Sequence, residues 1–208
     1  MHCNFIASLA IMLICTLAAA GESPEEIRLR VGAGDLVAGK EKSAKCQACH
    51  GEDGNSRTDN YPKLAGQYAA YIRQQIHDFK SGARVDPVMS AMAASVESEQ
   101  DLLDIAAYFA SQKPMKGESS VDNKVGKARY LGFVTGCRSC HVPAGEEPAK
   151  FNPEIPVIAG QHKEYLIKQL KDYKRGTRRN ESNGAMSLMT RYMTDRNIED
   201  VASYVSGL

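Results

Sequence analysis

Along most of the chain, apolar positions recur at helical spacing, and no stretch alternates as strands do. The fold class this predicts is all-α. After an uncharged run at residues 5–20, residues 22–35 are charged and contain glycine, which predicts a loose lead-in. Residues 36–48 predict a helix. The polar stretch at 51–60, with Gly54, Asn55 and Asp59, predicts a loop. A second helical pattern follows Pro62. Tyr68, Tyr71, Ile72, Gln75, Ile76 and Phe79 share its spacing, and Gly82 is a natural stop. A loop over residues 83–90 then carries Pro87 and Met89. Ser98-Glu99-Gln100-Asp101 has the form of a capping box, and the helix it opens places Leu102, Ile105, Ala106 and Phe109 on one stripe. Lys113-Pro114 ends that helix, and residues 115–123 read as a polar linker.

The same order then restarts. Residues 125–134 predict a leading helix, and Pro156-Val157-Ile158-Ala159-Gly160-Gln161 matches residues 62–67 at an offset of 94. That offset also carries Tyr71 to Tyr165, Gln75 to Gln169, Asp78 to Asp172, Lys80 to Lys174, Gly82 to Gly176 and Arg84 to Arg178. Met89-Ser90-Ala91-Met92 recurs as Met186-Ser187-Leu188-Met189. The pattern is a tandem duplication of a domain of about 90 residues, small for a domain. The expected division is a leader at 1–20, a first domain at 21–117 and a second at 118–208.

Composition narrows the class. With 208 residues, 43% apolar and a net charge of +1, the chain is neither disordered nor built to coat nucleic acid. It has no Trp, so halves this small would have thin cores and gain from a covalent staple. The uncharged run ends Ala18-Ala19-Ala20-Gly21 and reads as a secretory signal removed near Ala20. Its first four residues lack Lys and Arg, so an uncleaved anchor is the alternative. Ile14 ahead of Cys15 argues against lipoprotein processing. The expected location is the periplasm. Residues 22–117 are net −2 and residues 118–208 net +3. The basic excess gathers at Lys168, Lys171, Lys174, Arg175, Arg178 and Arg179, either a solvated helix face or a docking patch for an acidic redox partner or anionic membrane surface.

Each half also carries Cys-x-x-Cys-His: Cys46, Cys49 and His50, then Cys137, Cys140 and His141. This is the attachment pattern of a c-type haem, in which two thiols form thioethers and the adjacent His ligates the iron. A redox Cys-x-x-Cys, a zinc site of the four cysteines, or structural disulfides would each leave the repeated His without a role. The expected cofactors are two covalently attached haem c groups. The opposite axial position calls for a thioether, and Met89 and Met186, first in each repeated Met-Ser-x-Met, are favoured over Met92 and Met189. Met193 precedes the last helix and reads as packing. The carbonyls of Pro62 and Pro156 are candidate partners for the other ring nitrogen of each His. His77 and His162 differ between the halves and read as surface or packing residues.

Taken together, the motifs, the repeated P-x-[LI]-A-G-Q-x-x-x-Y helix, the G-x-R turn and the Met segment resemble the di-haem cytochrome c4 family over residues 35–208. The resemblance implies two class I cytochrome c domains about a pseudo-twofold axis, with His/Met ligation at both irons. It implies a periplasmic single-electron carrier that meets redox proteins, a respiratory donor and a terminal oxidase, and transforms no small-molecule substrate. The alternatives are a cytochrome subunit of a dehydrogenase, for example a flavin-dependent sulfide dehydrogenase, and a di-haem peroxidase.

Overall fold

The computed structural model describes residues 24–117, 122–132, 136–142, 152–181 and 183–208. The leader with Cys3 and Cys15, part of the linker and most of the loop between His141 and Pro156 lie outside the described residues. In chain order the helices are α1 (Pro24–Val31), α2 (Leu36–Lys42), α3 (Ala44–His50), α4 (Ala69–Ser81), α5 (Pro87–Ala94), α6 (Glu99–Ser111), α7 (Lys124–Leu131), α8 (Lys163–Arg175), α9 (Ala185–Thr190) and α10 (Asp195–Val205). A 3-10 turn covers Cys137–Ser139. Among the described residues there is no strand, and no helix is long and apolar enough to cross a membrane.

Each half repeats one packing scheme. α2 lies against α6, and α4 packs on α6 and α5; in the same order α7 lies against α10, and α8 packs on α10 and α9. The crossing of leading and final helix is set by a glycine. A Cβ on Gly39 would sit 2.1 Å from the Asp104 carbonyl oxygen, and one on Gly126 would sit 2.1 Å from that of Asp200. Only a residue without a side chain lets the helices approach so closely. Beneath the first crossing Ile72, Ile76, Phe79, Leu102, Ile105 and Phe109 form one core. The second core is smaller among the described residues: Tyr130, Leu166, Val201, Ala202 and Val205.

Local chemistry accounts for where helices begin and end. The Asp35 carboxylate accepts from the Val37 and Ala38 N–H groups and caps α2. Ser98 accepts from the Asp101 N–H at α6, with no reciprocal bond, so that box is half formed. The complete box lies at α10, between Thr194 and Asn197. α4 ends at Gly82, whose φ of +78° is the left-handed conformation that glycine adopts without strain.

Three expectations need correction. The lead-in at 22–35 is not loose throughout, because α1 packs on α6 and α4 and buries Val31. The helix expected over 36–48 breaks at Ser43, fully buried, whose hydroxyl donates to the Lys40 carbonyl and accepts from Gln47. The first Met segment is not a loop but α5: Asp86 accepts from the Val88 and Met89 N–H groups, and Pro87 occupies the first turn.

Candidate functional site

α3 displays Cys46, Cys49 and His50 on a single short helix. His50 is buried, and its Nδ1 lies 2.8 Å from the Pro62 carbonyl oxygen. A carbonyl can only accept, so Nδ1 carries the proton and Nε2 keeps a free lone pair. Burial pushes the His50 pKa down, against the pull of the Pro62 carbonyl, and so favours the neutral ring that can ligate a metal. In the second half Cys137 begins the 3-10 turn, and buried His141 places Nδ1 2.8 Å from the Pro156 oxygen. Burial also lowers the His141 pKa, and the Arg178 cation lowers it further. Tyr130 donates to the His141 carbonyl at 3.2 Å and steadies that turn.

The four motif thiols are free rather than disulfide-bonded, and burial pushes Cys46 and Cys137 up. Among the described residues no group of three or more His, Cys, Asp or Glu side chains gathers as a metal cage. A mostly apolar cavity of about 2120 Å³ runs through both halves, lined by both motifs, Ile72, Phe79, Ile105, Leu166 and Tyr173. That exceeds the roughly 300–1,000 Å³ typical of a pocket for one small molecule. Met89, Met92, Met186 and Met189 all line it. Met89 also packs against the first core, and Met186 is half-buried whereas Met189 is 42% exposed. Two thiols, an imidazole with its lone pair free and a thioether in one apolar chamber are the donor set of a covalently held haem, and each half supplies that set.

The boundary between the halves carries polar residues that sequence reasoning noted only as repeats. The Gln67 amide donates to the Val157 carbonyl and accepts from its N–H, each at 2.9 Å. Gln161 does the same to Lys63, again at 2.9 Å each. Nearby, Arg84 donates to Gln75, Gln169 and Tyr165, and Arg178 to Gln169, Gln75 and Tyr71. Burial would raise the Tyr165 hydroxyl, but Arg84 and Arg178 outweigh it and bring it below the usual phenol value. The 94-residue offset marks all these residues as equivalent pairs; that they meet across the boundary is a tertiary fact.

His77 is a surface residue, 3.1 Å from Glu99. His162 is buried and ties the second half to the first, with Nε2 3.0 Å from the Ser56 carbonyl and Nδ1 3.0 Å from Asp59. In the basic group, Arg178 belongs to the boundary and lies 4.6 Å over the Tyr173 ring. Lys168 pairs with Asp172, and Lys171 and Lys174 share Asp195. Arg175 and Arg179 are exposed, as is Arg191, which stands 5.8 Å over the exposed Tyr192 ring.

Comparison with known proteins agrees with this geometry. The family model for cytochrome c matches twice, over residues 36–113 and 127–208. Cytochrome c4 of Pseudomonas aeruginosa is 39% identical, with 96% of this chain and 98% of the relative covered. The crystal structure of reduced recombinant cytochrome c4 from Pseudomonas stutzeri superposes with a TM-score of 0.76 at 38% identity, covering 85% of this chain and all of that one. The thiosulfate dehydrogenase electron acceptor of Stutzerimonas stutzeri is 33% identical, with 78% of each chain covered.

Proposed function

The chain belongs to the cytochrome c family, in the two-domain form of its cytochrome c4 relatives, and from that membership we propose how it works and where. It is a di-haem electron carrier with covalently bound haem c in each half. Cys46, Cys49, His50 and Met89 hold the first haem, and Cys137, Cys140, His141 and Met186 hold the second. Each haem supplies a one-electron iron couple. The protein attaches it, fixes its proximal imidazole through the Pro62 or Pro156 carbonyl, and keeps water away with apolar walls. The carrier works in the periplasm and passes electrons from a respiratory donor toward a terminal oxidase. The observation that carries this reading is the matched pair of buried imidazoles, each pinned at Nδ1 beside two thiols.

A dehydrogenase partner is the second reading. It is favoured by the likeness to the thiosulfate dehydrogenase electron acceptor, and by a TM-score of 0.71 at 26% identity to thiosulfate dehydrogenase (TsdBA) from Marichromatium purpuratum, of which this chain covers 40%. Purification from the periplasmic fraction separates the two. A free, red protein that reduces a membrane oxidase supports the carrier; constant co-elution with a dehydrogenase supports the subunit. Recovery of the holoprotein only from the cytoplasm would refute the proposed location.

A further inference from the structure

The boundary glutamines touch the peptide group on which each proximal histidine leans. Pro62 C=O and Lys63 N–H belong to one peptide unit. Its oxygen accepts from His50 Nδ1 at 2.8 Å, and its N–H donates to Gln161 Oε1 at 2.9 Å. The Pro156–Val157 peptide repeats the arrangement, with its oxygen 2.8 Å from His141 Nδ1 and its N–H 2.9 Å from Gln67 Oε1. In a trans peptide the two groups point opposite ways, so each unit relays between a histidine on one side and a glutamine of the other half on the other. Both glutamines are buried, 3% and 4% exposed.

We propose that Gln67 and Gln161 are positioning residues that act crosswise, each tuning the iron couple of the opposite half. An acceptor at the N–H end polarises the peptide and makes its oxygen a better acceptor. The stronger Nδ1–H···O bond then raises the basicity of the ligating nitrogen. A more basic imidazole favours the ferric state and lowers the reduction potential. An amide is the fitting side chain, because it also donates to the carbonyl of the same residue, at 2.9 Å in both copies. The inference rests on the assignment of His50 and His141 as iron ligands.

The test uses the full-length holoprotein and measures both one-electron couples by spectroelectrochemical titration, each assigned to its half by NMR. Gln161→Leu is expected to shift the first-half couple upward, by about two- to fourfold in its equilibrium constant. At 59 mV per decade that is about 20 to 35 mV. Gln67→Leu is expected to shift the second-half couple instead. A glutamine that merely glued the halves would move both couples alike in both variants, and that result would overturn the inference. So would shifts confined to the glutamine's own half, or no shift. If a leucine variant does not fold, Gln161→Glu and Gln67→Glu keep an acceptor at the N–H, and the opposite half's couple should fall more than its own. Failure to do so counts equally against the inference. A wild-type chain lacking two haems, or a His50→Ala chain with unaltered iron ligation, would instead remove the ligand assignment itself.

Discussion

A hydrogen bond from each motif imidazole to a proline carbonyl fixes ring, tautomer and free lone pair at once. With Met89 and Met186 proposed as the thioether ligands, Met89→Ala should change the ligation of one haem and lower its potential, while Met92→Ala should leave both couples in place. NMR of the axial ligands with a redox titration checks this; equal effects would refute the choice. Asp104 has a different duty. Lys42 at 2.6 Å and the Asp35 N–H at 2.8 Å hold its buried carboxyl near pKa 2, down from 3.8. Its folded value is depressed, so its stabilising effect is present above the ordinary carboxylate value and lost as pH falls through about 2. Asp101, also lowered by Lys42, contributes in the same direction. Asp104→Asn should be less stable near neutrality and show a shallower acid limb in denaturation followed from pH 4 to 2. Of these residues the motif thiols, histidines and prolines were legible in the sequence, because attachment chemistry demands fixed spacing. The partners of Gln67 and Gln161 were not, since 90 and 98 residues separate donor from acceptor.

Helix order was legible because a repeated pattern is read twice, each copy checking the other. The breaks were less so. Ser43 interrupts its helix through side-chain bonds that only the fold brings together, and among the described residues α1 has no second copy against which to be read. The start of α5 is signalled by Asp86-Pro87, an N-cap followed by a first-turn proline. At this scale the close crossing of leading and final helices is the restrictive contact. Gly39→Ala would press a methyl group onto the Asp104 carbonyl, since the Cβ position lies 2.1 Å away. We expect a loss of about 1–3 kcal/mol or more in urea unfolding of the holoprotein. Alanine at exposed Gly82, where a Cβ meets nothing within 4 Å, costs only the strain of its positive φ.

Across the whole molecule, two halves of opposite charge share one cavity and a buried polar boundary, which suits passage of single electrons from end to end. Around the end of α8, Arg175, Arg179 and Arg191 are exposed beside exposed Leu188 and Tyr192. An acidic partner with an apolar centre fits that face. Arg175→Glu combined with Arg191→Glu should slow association roughly tenfold or more at low salt and have little effect at high salt. A rate indifferent to both would rule the face out. All of this depends on two haems bound covalently through the repeated motifs. The direct test is the intact mass of the holoprotein under denaturing conditions, with its haem-to-protein ratio. The expected result is two haems per chain, falling to one in Cys137→Ala/Cys140→Ala; a colourless chain, a single haem, or haem extracted by denaturant would contradict the account.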